Sequence, residues 1–304
     1  MRVRPNAAHR TAVRRHAVRS RARRAAAVLV SAALAAAAAA CGTADAGTPS
    51  VVGRDRLVIG VNEDQPGLGF RDPDLRGFDI DVAREIARRL GVAGDDVEFR
   101  PVSRDVNRED MLVSGRVDMV VASYSITPER KTKVMFAGPY YVAHQDILVR
   151  RSDTAVRNVR DLAGRRLCRV EGSLSHRRVI EEKGVNAIPH DSRGYDQCLR
   201  SVQDGVVDAV STDDLILAGL AARARGGGAA AVRLVNAPFS DEPYGVGLRR
   251  GDVAGCEAVN KAITRMYQDG TIPRLLRQWF GSSGLRLTTT VPQFEGCDEP
   301  VAGS

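Results

Sequence analysis

The sequence predicts an α/β fold built as two lobes. Apolar strand segments alternate with amphipathic helical segments from residue 57 onward, which is the pattern of βα units around a buried sheet. The alternation restarts with a new apolar strand at residues 167–170 and continues to a last helix at 272–280. Two successive sets of βα units favour two lobes over one large sheet. The chain has 304 residues, and the 264 that follow residue 40 are enough for two separate cores.

The first 40 residues have the composition of a secretory signal peptide. They hold nine arginines and no acidic residue, and the stretch 25–40 is apolar except for Ser31. This stretch is shorter than the roughly twenty residues that a membrane span needs. Without the nine arginines the chain has 36 basic and 37 acidic residues, a net charge of −1 instead of +8. The sequence therefore predicts an exported protein and excludes nucleic acid as a partner.

Cys41 is the expected site of a lipid anchor. It follows three alanines and precedes Gly42, which resembles the lipobox of bacterial lipoproteins, although alanine stands where the lipobox usually has leucine. Ordinary signal cleavage, with Cys41 as an incidental thiol, is the alternative. Residues 41–55 are rich in small and polar residues and predict a linker that holds the domain off the outer face of the cell membrane.

Motifs for catalysis and metal binding are absent from the sequence. It contains no GxSxG, HExxH or GxxxxGK motif, and its cysteines have neither CxxC nor CxxH spacing. The adjacent Asp213 and Asp214 are unsuited to act as an acid/base pair, because neighbours along a chain rarely face one substrate atom. The sequence therefore gives no catalytic site, cofactor or metal to predict.

One short segment carries the clearest candidate binding residues. Thr127 and Pro128 predict the start of a helix, and Ser123 and Ser125 lie in the loop before it. Such a loop offers backbone amides and hydroxyl groups to a carboxylate, and Arg130 adds a planar guanidinium suited to bidentate binding. An ordinary capped helix with a solvated arginine has the same residues, so the residues alone leave both interpretations open.

Several motifs resemble the polar-amino-acid solute-binding proteins of ABC importers, family 3. They occur in that family's order and spacing, from about residue 57 to residue 280. The stretches that carry the resemblance are GFDIDVA (77–83), GRVDMVVA (115–122), SITPER (125–130), FAGPYY (136–141) and DLAG (161–164). Three more are similar to the actinobacterial glutamate/glutamine-binding lipoprotein branch: DQPGLGF (64–70), STDDLILAG (211–219) and PYGVGL (243–248).

The resemblance implies a periplasmic-binding-protein-like (type II) fold. In this fold two α/β lobes, joined by two hinge crossings, close over one amino acid. The crossings are expected near residues 145–147 and 242–244. The implied boundaries are lobe 1 at 56–146, lobe 2 at 147–242, a return to lobe 1 at 243–296 and a C-terminal tail at 297–304. The resemblance further implies a monomer that passes its ligand to an ABC transporter permease.

The resemblance also implies which residues bind the ligand's α-carboxylate. In lobe 1, Arg130 is expected to bind this group together with the hydroxyl groups of Ser123 and Ser125. In lobe 2, Ser173 and the backbone amide of Leu174 are expected to reach the same carboxylate.

The ammonium group and the side chain of the ligand have their own candidate residues. Asp213 occupies the family's acidic position and is expected to pair with the ammonium, since a buried charge is tolerated only when it is paired. Asn62 stands where members that bind acidic ligands often have Lys or Arg, and it suits either an amide or a carboxylate. Gln65 and Arg71 are candidates to bind a γ-carboxylate.

L-Glutamate is the expected ligand. A protein that binds glutamine, asparagine or aspartate, and a sensor subunit for a membrane signalling partner, are alternatives that use the same site. A dehydratase on the same fold is a more remote alternative. It would need an acid or base in the cleft, and the retention of Arg130 and Asp213 argues against it.

Two disulfides are expected in an exported chain with four cysteines beyond Cys41. Cys168, Cys198, Cys256 and Cys297 allow three connectivities. We favour Cys168–Cys198 and Cys256–Cys297, because each pair then lies within one lobe of the predicted architecture. Each would stabilise the fold by about 3–4 kcal/mol on the chain-entropy account.

Overall fold

The computed structural model describes residues 49–102, 108–225 and 232–297. The predicted signal peptide, Cys41 and most of the predicted linker and C-terminal tail lie outside these residues. Within the described ranges, no helix is both long enough and apolar enough to cross a membrane.

Strands and helices alternate along most of the described chain. The strands are β1 (Leu57–Val61), β2 (Asp64–Gln65), β3 (Gly69–Arg71), β4 (Leu75–Arg76), β5 (Val97–Pro101), β6 (Met119–Val120), β7 (Met135–Arg150), β8 (Arg166–Val170), β9 (Ile188–Ser192), β10 (Ala209–Asp213), β11 (Val232–Leu234) and β12 (Ser240–Leu248). The α-helices are α1 (Phe78–Arg89), α2 (Arg108–Val113), α3 (Pro128–Lys131), α4 (Ser175–Arg177), α5 (Tyr195–Gln203), α6 (Asp214–Arg225), α7 (Val253–Gln268) and α8 (Thr271–Phe280).

One mixed sheet connects the two lobes. Its strands follow the order β5-β1-β6-β12-β7-β10-β8-β9, and β11 pairs with β7. In lobe 1, β1 runs parallel to both β5 and β6; in lobe 2, β8 runs parallel to both β9 and β10. Between the lobes lie β7 and β12, which are antiparallel and pair Ser240 with Gln145 and Tyr244 with Tyr141. Both predicted hinge crossings fall on these two strands.

The crossing strands are anchored in an aromatic cluster. The side chains of Tyr140, Tyr141 and Tyr244 are almost fully buried. The ring of Phe78, at the start of α1, lies 6.0 Å from that of Tyr140 and 6.3 Å from that of Phe280 in α8. These large side chains bury much apolar area in lobe 1, and so fix the strands from which lobe 2 extends.

The lobes also touch away from the crossing strands, where α6 of lobe 2 packs against the loop after β2. A Cβ atom at Gly219 would lie 1.7 Å from the carbonyl oxygen of Pro66. Only glycine permits this approach between backbones. On the same side of the domain, Arg223 lies 3.5 Å from Asp72.

Both predicted disulfides are confirmed. Cys168–Cys198 links β8 to α5 within lobe 2, and Cys256–Cys297 links α7 to the last described residue. The sequence did not predict the small sheet β2-β3-β4, whose strands have only two or three residues each. In lobe 2, α4 continues as a π-helical segment at Arg178–Glu182.

Candidate functional site

A cavity of about 500 Å³ lies between the two lobes, a size suited to a small ligand. Asn62 follows β1, Ser123 lies just beyond β6 and Asp213 ends β10, so the carboxyl ends of parallel strands from both lobes meet here. The predicted site residues that line the cavity are Asn62, Gln65, Ser123, Ser125, Arg130, Ser173, Leu174 and Asp213.

Arg71 is the predicted site residue that the structure does not bring to the cavity. Its Nε atom donates to Glu63 Oε2 at 3.0 Å, and 48% of its side chain is exposed. Arg71 does not line the cavity in this arrangement, and its contact with a ligand's side chain stays a prediction.

Ser123 is held in a left-handed backbone conformation, with φ of 43°. Its N–H donates to Asp79 Oδ2 at 2.7 Å, and Asp79 Oδ1 accepts a hydrogen bond from the Tyr140 hydroxyl at 2.8 Å. This buried carboxylate, in the first turn of α1, has a pKa raised to about 6 because burial disfavours its charge. Strain at a non-glycine residue persists only when surrounding contacts over-determine it, as they do here.

Arg130 is fixed by contacts from three sides. Its Nη1 atom donates to the Ser125 carbonyl oxygen at 2.7 Å, and its guanidinium carbon lies 4.8 Å from the centroid of the Tyr124 ring. Glu109 lies 3.8 Å from its Nε atom. Burial and the nearby charge of Arg108 lower the pKa of Arg130, but a guanidinium stays charged in proteins. The helix α3 is a single turn and has only a weak dipole. The positive charge at this position therefore comes mainly from the Arg130 guanidinium.

Asp213 faces the cavity from lobe 2. Its Oδ2 atom accepts a hydrogen bond from the Tyr244 hydroxyl at 2.6 Å. Burial, followed by the charge of Glu242, raises the pKa of Asp213 to about 7. Glu242 itself is 2% exposed and forms an ion pair with Arg178, whose Nη2 donates to Glu242 Oε2 at 3.0 Å.

Gln145 adds a buried acceptor to the same wall. Its Nε2 atom donates to the Ser175 carbonyl oxygen at 2.8 Å, which fixes the orientation of the amide because a carbonyl only accepts. The opposite atom, Oε1, finds no hydrogen-bond partner among the described residues although the side chain is fully buried. Gln145 lines the cavity, so a ligand donor would satisfy this oxygen.

Hydroxyl groups complete the wall of lobe 2. Ser173 Oγ lies 3.0 Å from Ser175 Oγ and 2.9 Å from the Tyr195 hydroxyl, which in turn lies 2.8 Å from Thr212 Oγ1. A hydroxyl proton rotates to suit its surroundings, so this chain of hydroxyl groups can present either donors or acceptors to a ligand.

On the opposite wall, Asn62 and Gln65 form a network in which the acceptors are occupied. Asn62 Nδ2 donates to Gln65 Oε1 and to the Ala122 carbonyl oxygen, both at 2.9 Å. Ser123 Oγ donates to Gln65 Oε1 at 2.8 Å. Asn62 Oδ1 accepts from Arg108 Nη2 at 3.4 Å. This network occupies Oε1 of Gln65, and the Nε2 group of the same amide is a donor that suits a ligand acceptor.

Sequence reasoning missed three residues of this region: Asp79, Arg108 and Gln145. Asp79 lies within a recognised motif, but only the fold shows that it supports Ser123. Gln145 belongs to a predicted crossing, and a lone amide in an apolar strand was its signal. Arg108 lies in α2, and no sequence motif marked it.

The described residues contain no group of three or more His, Cys, Asp or Glu side chains that could hold a metal ion. Both acidic and basic side chains line the cavity, and the basic ones are arginines and a lysine. Its chemistry therefore suits a small zwitterionic or anionic molecule.

Comparison with known proteins decides the family. Residues 57–282 match the bacterial extracellular solute-binding proteins, family 3. The chain belongs to this family. It is 37% identical over 247 residues to the glutamate-binding protein GluB of Corynebacterium glutamicum, covering 77% of this chain and 81% of that protein. It is 31% identical over 236 residues to the ABC transporter glutamine-binding protein GlnH of Bacillus subtilis, covering 76% and 83%.

Solved structures also show that the chain has the family 3 fold. An ancestral arginine-binding protein bound to glutamine is 35% identical, with a TM-score of 0.67 over 75% of this chain and 99% of that one. The predicted two-lobed α/β fold is thus confirmed. The chain is an amino-acid-binding protein of an ABC transporter, and like GluB and GlnH it is a binding protein rather than an enzyme.

Proposed function

We propose that this solute-binding protein captures L-glutamate outside the cytoplasm and delivers it to an ABC transporter permease. The observation that carries the proposal is the pairing of Arg130 from lobe 1 with Asp213 from lobe 2 in one cavity, since an α-amino acid carries the complementary charges. The glutamate-binding names of the most similar relatives support the choice of ligand.

In this proposal Arg130 binds the α-carboxylate, helped by hydroxyl or amide groups of Ser123, Ser125, Ser173 and Leu174. Residues of both lobes then contact one carboxylate, so the bound ligand favours closure of the lobes.

Asp213 and Gln145 bind the ammonium. Gln145 Oε1 is a buried acceptor without a partner among the described residues, and an ammonium has three protons to donate. Tyr244 already donates to one oxygen of Asp213, so the carboxylate is oriented before the ligand arrives.

The proposal includes export and anchoring. Residues 1–40 direct secretion and Cys41 carries a lipid that tethers the domain beside the permease. Replacement of Cys41 by Ala should release the protein from the membrane fraction into the medium, which fractionation and immunoblotting would detect. Membrane retention of the Cys41→Ala protein would contradict anchoring through this residue.

A thermal-shift screen of the purified protein against the twenty amino acids tests the ligand. A ligand that binds only the folded state raises the melting temperature, and we expect the largest rise with L-glutamate. Arg130→Ala and Asp213→Ala should each abolish the rise while the unliganded protein still unfolds cooperatively. A rise with glutamine and none with glutamate would reject the acidic ligand, and no rise with any amino acid would reject the proposed function.

A further inference from the structure

The hydroxyl group of Tyr195 joins two separate parts of the lobe 2 wall. It lies 2.9 Å from Ser173 Oγ, in the turn after β8, and 2.8 Å from Thr212 Oγ1, in β10. Thr212 immediately precedes Asp213 at the end of the same strand. A hydroxyl group has one proton and two lone pairs, so these two contacts engage most of the hydrogen-bonding capacity of Tyr195. Its hydroxyl therefore serves to hold Ser173 and the end of β10 at a fixed separation.

The turn that carries Ser173 has little regular structure of its own. Its N–H donates to the Val170 carbonyl oxygen at 3.2 Å, and its Oγ accepts from the Ser175 N–H at 3.2 Å. The helix that follows, α4, has three residues before it becomes a π-helical segment. Such a short helix has few internal hydrogen bonds to stabilise it. The position of Ser173 therefore depends on side-chain contacts, of which the contact with Tyr195 comes from a distant part of the chain.

A disulfide fixes the helix that carries Tyr195. Cys198 lies one helical turn after Tyr195 in α5, so the two side chains share a face of the helix. Its partner, Cys168, lies in β8, the strand that leads into the turn with Ser173, and the two Cα atoms are 5.8 Å apart. Cys168 and Cys198 are both buried. The disulfide thus ties both ends of the contact between Tyr195 and Ser173 to each other.

From these contacts we infer that the Cys168–Cys198 disulfide, acting through Tyr195, holds the lobe 2 wall in the geometry that binds the ligand. The inference rests on the proposed function, in which Ser173 and Asp213 contact the α-carboxylate and the ammonium. Neither cysteine is among the described residues that line the cavity, so the disulfide acts on a ligand only through residues that it positions. Binding groups have to be held within about 0.5 Å of their productive places, which a covalent link next to Tyr195 helps to achieve.

The second disulfide separates this role from a general gain in stability. The sequence separation is 30 residues for Cys168–Cys198 and 41 for Cys256–Cys297. The chain-entropy contribution of a disulfide depends on the logarithm of the loop length, so the two contributions are nearly equal. Cys256 lies in α7, and neither it nor Cys297 lines the cavity. Removal of Cys256–Cys297 is therefore the matched control.

Calorimetry on two double variants tests the inference, with L-glutamate and L-glutamine as the ligands. The β8 disulfide variant is Cys168→Ala with Cys198→Ala, and the α7 disulfide variant is Cys256→Ala with Cys297→Ala. Thermal unfolding should show a similar fall of the melting temperature in both. We expect only the β8 disulfide variant to lose affinity, by about tenfold or more and equally for both amino acids, since they share the groups that this wall contacts. The α7 disulfide variant should stay within about twofold of the wild type.

Tyr195→Phe tests the same contact with both disulfides intact. It removes one hydroxyl group and keeps the ring, so the fold is retained even if the β8 disulfide variant does not fold. We expect both ligands to bind about 5- to 10-fold more weakly. Combined with the β8 disulfide variant, the loss should be smaller than the product of the separate losses, because both changes act through one contact. Combined with the α7 disulfide variant, the losses should multiply.

Three results would overturn the inference while the proposed function stands. The first is unchanged affinity in Tyr195→Phe or in the β8 disulfide variant. The second is an equal loss of affinity in the two disulfide variants, because the disulfides would then act through general stability. The third is a full multiplication of losses when Tyr195→Phe is combined with the β8 disulfide variant. A wild-type protein that binds neither amino acid would overturn the proposed function and the inference together.

Discussion

Arg130 of lobe 1 and Asp213 of lobe 2 face one cavity with opposite charges, and the protein holds these two charges differently. In lobe 1, Arg130 is stacked near Tyr124 and keeps its charge at any physiological pH. In lobe 2, Asp213 lies beside Glu242 and has a pKa raised to about 7, so the unliganded protein is near the midpoint of its titration at neutral pH. The charge of Arg130 is thus permanent, and the charge of Asp213 depends on what the carboxyl group faces. A ligand ammonium would stabilise the charge on Asp213 and so complete the site.

Among the variants that test this comparison, Asp213→Asn is expected to change the affinity for glutamate most. It keeps the shape and an acceptor for Tyr244 but removes the charge, so glutamate affinity should fall by about 100-fold or more in calorimetry. The melting temperature of the unliganded variant should nevertheless exceed that of the wild type at pH 8. A raised pKa means that this carboxyl favours folding below its unfolded-state value and disfavours it as pH rises through about 7.

Asp214→Asn is the matched control for that variant. Asp214 is also buried, with a pKa raised to about 6, but it does not line the cavity. Its replacement should change glutamate affinity by less than about threefold. Equal losses of affinity in both variants would show that the lobe 2 wall acts through general electrostatics and not through contact with Asp213.

A second expected effect is a pH dependence of glutamate binding that arises from Asp213 and not from Arg130. Below pH 7 Asp213 is mostly protonated without ligand, so binding of an ammonium must release that proton. Glutamate affinity should fall by about tenfold for each pH unit between 7 and 5. Calorimetry at pH 6 in buffers of different ionisation enthalpy should report release of close to one proton per ligand, and almost none at pH 8. An absence of proton release at pH 6 would contradict the titration of Asp213 on binding.

The smallest of the three expected effects concerns how closely the two lobes approach each other. Gly219→Ala would place a methyl group against the Pro66 carbonyl oxygen and hold the lobes apart without touching the cavity. We expect glutamate affinity to fall by roughly tenfold, and small-angle scattering to show a more open liganded protein. Gly94→Ala, where a Cβ atom meets nothing within 4 Å, is the control. Unchanged affinity in Gly219→Ala would mean that binding does not need this contact.

Much of the fold could be predicted from the sequence because its signals are local. The alternation of apolar strands and amphipathic helices placed most elements, and keeping each cysteine pair within one lobe selected the disulfides. The short strands β2–β4 escaped prediction since two or three residues carry no periodicity. For the cavity, family motifs marked Arg130, Ser123 and Ser125, whereas Arg71 was chosen by nearness in sequence and lies outside it.

By itself, the sequence determined that the basic charge of the chain belongs to its first 40 residues and that the remaining body is an α/β protein with the motifs of an amino-acid binder. Only the tertiary structure decided which charges meet. Arg108, Gln145 and Asp79 line or support one cavity because strands and helices far apart in the chain converge there. The pKa of Asp213 likewise depends on burial and on Glu242, a neighbour 29 positions away. Such properties arise from distances through space, and residue type alone does not encode them.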